Sequence, residues 1–121
     1  MGGTARGDNL AIIRASILVG GKLLVMCIAD SYEIIGTSWI TNDSRRLYLH
    51  HFGILPEYQG LGLSKHLLKR SLNFAKESQM QIKLEVHEGN TVATDLYKKA
   101  GFTYLGDYDV YIVRDIQSIN I

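Results

Sequence analysis

Cysteine and proline are nearly absent from this 121-residue chain, with one of each. The single Cys27 excludes a disulfide framework within the chain and a cysteine-based zinc site. With only Pro56 there is no Pro-rich linker. No charge of one sign dominates: 13 basic and 12 acidic residues leave a net charge of +1. That balance argues against a nucleic-acid binder or a membrane-surface binder, which carry a basic excess. An anionic small ligand stays open, because backbone amides bind phosphate without net protein charge. Long hydrophobic runs are missing too. Leu10–Ala29 is interrupted by Arg14, Gly20, Gly21 and Lys22, short of the roughly 18 residues of a bilayer span. The same breaks remove the apolar block of a signal peptide, so a cytoplasmic location is expected. Position 6 is Arg6 rather than Ser or Thr, so the Met1-Gly2 start does not support myristoylation.

What is present is ordinary globular material. Hydrophobic residues make up 46% and charged residues 21%, and the length suits one domain over residues 1–121. Met1–Asn9 is small and polar, as a chain terminus tends to be. Leu10–Val19 carries Ile12, Ile13, Ile17 and Leu18 at helical spacing and is stopped by Gly20-Gly21. Lys22–Asp30, Glu33–Trp39 and Arg46–Leu55 read as three strands joined by tight turns, an antiparallel meander. From Gly60 to Gln79 the apolar period becomes helical, through Leu63, Leu67, Leu68, Leu72 and Ala75. Gln81–His87 returns to period two. Asn90–Ala100 reads as a second long helix, with Asn90 as N-cap and Gly101 as the residue after its end. Thr103–Arg114 is strand material with a bend near Gly106-Asp107. The expected order is (helix)-β-β-β-α-β-α-β: an α/β chain with a mixed, mainly antiparallel central sheet and helices on both faces.

The stretch with most chemical content is Leu55-Pro56-Glu57-Tyr58-Gln59-Gly60-Leu61-Gly62-Leu63-Ser64. A strand ends, a proline stops its ladder, and a glycine turn opens a helix. Gly60 and Gly62 let a phosphate approach the backbone, where free amides and the positive end of the helix dipole face it. By itself a Gly-x-Gly before a helix is weak evidence, and taken alone it reads rather as a tight strand-to-helix turn with no ligand.

A second motif adds weight. Ile54-Leu55-Pro56 followed by Gln59–Ser64, and then Asn90, Ala93, Leu96-Tyr97 and Gly101-Phe102 in register, resembles the GNAT superfamily of acyl-CoA-dependent N-acetyltransferases. The likeness covers roughly Lys22 to Arg114. It departs at Ser64, where the family usually has Gly or Ala, and at the amino terminus, which has room for one short helix before the hairpin. The resemblance implies a GNAT-like acyl-CoA N-acyltransferase fold. It also implies transfer of an acetyl group from acetyl-CoA, as co-substrate and without a metal, to a primary amine. Pyrophosphate would lie on Gln59, Gly60, Leu61, Gly62, Leu63 and Ser64. Phe52, Gly53 and Ile54 would meet the pantetheine arm, with Gly53 either permitting a bulge or marking only a sheet irregularity.

By position, Tyr97 matches the family's general acid and Glu85 the base of N-terminal amine acetyltransferases, where burial would raise its pKa. Asn90 would hold pantetheine or the acceptor, or serve only as a cap. His50 and His51, on opposite faces by strand alternation, offer one histidine to the acceptor site with His87. Lys65, His66, Lys69 and Arg70 either meet the CoA 3′-phosphate or form a solvated helix face. A non-catalytic acyl-CoA-binding module is the alternative; it would keep the loop but need neither Tyr97 nor Glu85. With the sheet starting at the apolar Lys22–Asp30 strand, a homodimer is expected, the partner covering that edge or Val110–Arg114.

Overall fold

The computed structural model describes residues 8–120. The order is α1 (Leu10–Leu18), β1 (Lys22–Cys27), β2 (Ile34–Asn42), β3 (Leu47–Ile54), α2 (Leu63–Ser78), β4 (Ile82–Leu84) and α3 (Thr91–Ala100). Single 3-10 turns occupy Pro56–Tyr58 and Ile116–Ser118. The strands lie side by side as β1-β2-β3-β4. The first three are antiparallel, and β4 runs parallel to β3, pairing Leu47 with Ile82 and Leu49 with Leu84. The α2 crossover supplies the length a parallel connection needs. The sheet is therefore mixed and mainly antiparallel, as the sequence indicates.

Two neighbouring residues of β2 show why the central strand is covered on both sides. Side chains alternate along a strand. Ser38 Oγ bonds Ser71 Oγ on α2 at 2.6 Å, whereas Trp39 Nε1 donates to Ser16 Oγ on α1 at 2.9 Å. Helices α1 and α2 therefore lie on opposite faces. Residues Ile35–Ile40 are all buried, matching a continuous apolar run rather than an alternating one. The main core lies on the α2 face, where Ile40, Leu47, Leu49, Leu68 and Ala75 meet, with Leu96, Tyr97 and Phe102 of the α3 region packed against them. Asn90 caps α3 as the sequence indicates, its Oδ1 accepting from Ala93 N at 3.2 Å, and Gly101 closes the helix at φ 112°.

Two expected strands differ. The Gln81–His87 strand shrinks to Ile82–Leu84, because residues 87–90 turn on themselves: His87 Nδ1 accepts from Gly89 N and His87 O from Asn90 N. Thr103–Arg114 forms no strand. Alternating apolar residues make a strand only when a neighbour supplies ladder hydrogen bonds, and this segment pairs with nothing among the described residues. Tyr104, Tyr108, Val110, Tyr111, Ile112 and Val113 are each more than half exposed.

Candidate active site

The site grows from the end of β3. Its pairing with β2 runs regularly to Trp39↔His50 and resumes at Thr37↔Gly53. His51 and Phe52 thus stand together opposite Ser38, a bulge. The bulge lies just before Gly53, not at it. His51 takes φ 45°, and Thr37 Oγ1 donates to its carbonyl at 2.8 Å. One extra residue resets the alternation. His50 and His51 therefore do not face opposite ways; both rings lie against Trp39, at 5.1 and 5.7 Å, the His51 ring within 4° of parallel. Phe52 turns to the other face and meets Tyr97 edge-on at 5.9 Å.

Beyond Leu49 and Leu84 the parallel pairing of β3 with β4 stops, while β3 continues to Ile54. Leu55 N donates to Ile35 O at 2.7 Å, which makes Gly36↔Ile54 a non-hydrogen-bonded pair. The amide and carbonyl of Ile54 therefore point away from β2, toward the side β4 has left open. The carbonyl accepts Gln59 Nε2 at 2.9 Å. That bond ties the following loop to the strand, a task for Gln59 beyond any contact with ligand.

The loop holds Gly60 at φ 81° and Gly62 at φ 78°. Both values are in the left-handed region that glycine enters without penalty. A Cβ at either position would meet nothing within 4 Å, so the space over the turn is open. Gly62 is the N-cap of α2, and no side chain caps it. The first-turn amides of a sixteen-residue helix are left to an outside acceptor. The turn Gly60, Leu61, Gly62, Leu63 and Ser64, beside the open end of β3, is a cradle with the free amides and space that an anion needs.

Tyr97 projects from α3 onto Phe52 of the same strand. Burial pushes its phenol pKa up from the usual 10.0. Its hydroxyl forms no hydrogen bond among the described residues, and it stays protonated at neutral pH. Glu85 is exposed just past the end of β4, so the burial expected of a base with raised pKa is absent there. Asn90 spends its carbonyl oxygen on the helix cap. His87 belongs to the turn before α3, apart from His50 and His51. Of the basic residues on α2, His66, Lys69 and Arg70 line a concavity of about 690 Å³ against Leu24–Cys27 of β1. That hollow lies beside α2 and β1, and neither Tyr97 nor His51 lines it. Sequence reasoning missed Asp8, whose Oδ2 lies 2.8 Å from His51 Nε2 across 43 positions, and Trp39, the floor beneath both imidazoles.

The sequence profile of the acetyltransferase (GNAT) family matches residues 10–102. The chain is 36% identical over 84 residues to the [ribosomal protein bS18]-alanine N-acetyltransferase of Haemophilus influenzae, covering 69% of this chain and 57% of that one. It is 38% identical over 58 residues to N-alpha-acetyltransferase RimI of Mycobacterium tuberculosis, covering 48% and 35%. Against the spermine/spermidine N(1)-acetyltransferase of Bacillus subtilis it is 36% identical over 70 residues, covering 56% and 46%. The chain thus spans between about a third and just over half of these curated relatives. A Bacillus anthracis acetyltransferase solved in complex with acetyl coenzyme A superposes with TM-score 0.58 at 28% identity, covering 67% of this chain and 47% of that one. An acetyl-CoA-bound GNAT acetyltransferase from Elizabethkingia anophelis shares the fold at TM-score 0.64 and 23% identity, covering 78% and 61%.

Proposed function

Because the chain belongs to the acetyltransferase (GNAT) family, we propose that it moves an acetyl group from acetyl-CoA to a primary amine. One observation carries this reading: an uncapped glycine turn opens beside a strand end that β4 no longer pairs, with a protonated tyrosine against the same strand. Pyrophosphate takes the amides of Gly60–Ser64, and the pantetheine arm runs along Phe52, Gly53 and Ile54. The amine attacks the thioester carbonyl, and Tyr97 gives the departing thiolate its proton. Glu85 is the base the resemblance implies; from its exposed place it acts through water. The relatives named for alanine N-acetylation and for spermine support two acceptor classes, a peptide amino terminus and a polyamine. The test is thiol release from acetyl-CoA in the presence of an alanine-starting peptide or spermidine, with acetyl-CoA binding followed by calorimetry. Binding without release for every amine points instead to a module that only holds acyl-CoA.

The second part of the reading is a homodimer. The outer edge of β1 pairs with no other strand among the described residues, and Val110–Val113 stand exposed. An apolar edge and an unpaired apolar segment are surfaces that a second copy covers by strand addition. Sedimentation at micromolar concentration gives twice the 13.5 kDa chain mass; a single species at the chain mass overturns it.

A further inference from the structure

The bulge places one group that neither motif includes. His51 adopts φ 45°, a left-handed value that non-glycine residues enter only where the surroundings hold them. Three contacts do the holding. Thr37 bonds the His51 carbonyl, Trp39 stacks under the ring, and Asp8 faces Nε2 at 2.8 Å. Both members of the last pair are largely covered, their side chains 28% and 21% exposed. A carboxylate only accepts hydrogen bonds, so Nε2 donates, and in the neutral imidazole the lone pair is then on Nδ1. Among the described residues Nδ1 has no partner.

The next residue, Phe52, lies on the opposite face against Tyr97. An imidazole with a free lone pair and a protonated phenol therefore flank β3 at a single point, one on each side. That point begins the stretch along which the reading above runs the pantetheine arm, whose end carries the thioester. The cradle opens α2, so CoA belongs to the α2 face and an incoming amine to the other, the face of Trp39, His50 and His51.

We propose that His51, oriented by Asp8, takes the proton from the acceptor ammonium. This inference rests on the acetyltransferase reading and changes which residue serves as base. The ammonium loses one proton to His51 Nδ1, which passes it to solvent. The free amine forms the C–N bond at the carbonyl carbon. The tetrahedral adduct collapses with loss of the second amine proton to solvent, the C–S bond breaks, and sulfur takes the Tyr97 proton. Tyr97 is then reprotonated from solvent. Asp8 touches no reacting atom and is a positioning residue.

His51→Gly suits the left-handed backbone and leaves a hole the size of the ring. It lowers kcat by about 10²–10⁴-fold with acetyl-CoA affinity unchanged, the range of a lost general base, and added imidazole restores part of the rate. His51→Asn, also tolerant of positive φ, is the second variant and shows the same loss. Asp8→Asn lowers kcat about tenfold at constant KM beside His51, and has no effect in the His51→Gly protein assayed with imidazole. A full rate in both His51 variants overturns the proposal, as does no imidazole rescue, or an Asp8→Asn effect equal in both backgrounds. A larger loss in Glu85→Gln than in His51→Gly overturns it in favour of Glu85. In each of those cases the wild-type chain still transfers acetyl, so the acetyltransferase reading stands. A wild-type chain that binds acetyl-CoA but acetylates neither the alanine-starting peptide nor spermidine removes both.

Discussion

Gly62→Asp separates the fold of the cradle from its use. Gly62 sits at φ 78° as the N-cap of α2, and a Cβ there meets no atom within 4 Å. Folding therefore loses only the left-handed backbone penalty, roughly 1–2 kcal/mol for an L-residue. Aspartate lowers that figure, because it tolerates this region and its charge favours a helix N-terminus. The melting temperature should fall by only a few degrees. Binding is another matter. A carboxylate about 4 Å from a phosphate oxygen is opposed by about 4 kcal/mol at a surface-like dielectric. Salt at physiological strength screens part of this, which leaves a loss of about 10²-fold in acetyl-CoA affinity. Calorimetry with acetyl-CoA reads the affinity, and a thermal melt reads the fold. Gly62→Ala adds the backbone penalty without the charge and falls between the two. An unchanged dissociation constant in Gly62→Asp, with the protein folded, refutes the placement of pyrophosphate on this turn.

Tyr97→Phe keeps the ring against Phe52 and Phe102 and removes the proton donor, so kcat falls by about 10²–10⁴ while acetyl-CoA still binds. A full rate returns Tyr97 to a packing role. The same substitution changes the alkaline limb of stability. A raised phenol pKa leaves stability intact below the ordinary 10.0 and erodes it as pH rises past that value, so melts above pH 10 should fall more steeply for wild type than for Tyr97→Phe. Ser71→Ala strands the fully buried Ser38 hydroxyl at about 1–3 kcal/mol; a melt unchanged by the substitution contradicts that pairing.

Much of the fold is legible because its signals are local. The meander, the change of period at Gly60, the Asn90 cap and the Gly101 stop each depend on residues within a few positions. The cradle is legible for the same reason, since a turn needing positive φ twice admits glycine at 60 and 62. What the sequence hides is set by distant partners. Whether Val110–Val113 becomes a strand depends on a neighbouring edge, not on its own alternation. The shortening of β4 follows from the turn that His87 closes with Gly89 and Asn90. The position of the bulge follows from pairing with β2, and no feature of Tyr48–Gly53 announces that His51 rather than Gly53 bends. Asp8 reaches His51 across 43 positions, a separation over which spacing carries no information.

The bulge is also a phase slip in a periodic object. Before it, β3 follows one alternation, sending Leu47 and Leu49 into the core; after it the strand follows the opposite parity. One continuous element can therefore obey two constraints that a regular strand sets against each other. The first half is free to satisfy packing, and the second is free to satisfy a ligand. A substitution that improves the core at Leu47 or Leu49 leaves the parity of Phe52–Ile54 untouched. A regular ladder through the same residues would turn Phe52 toward Trp39 and bring the wrong faces together, even though every side chain was kept.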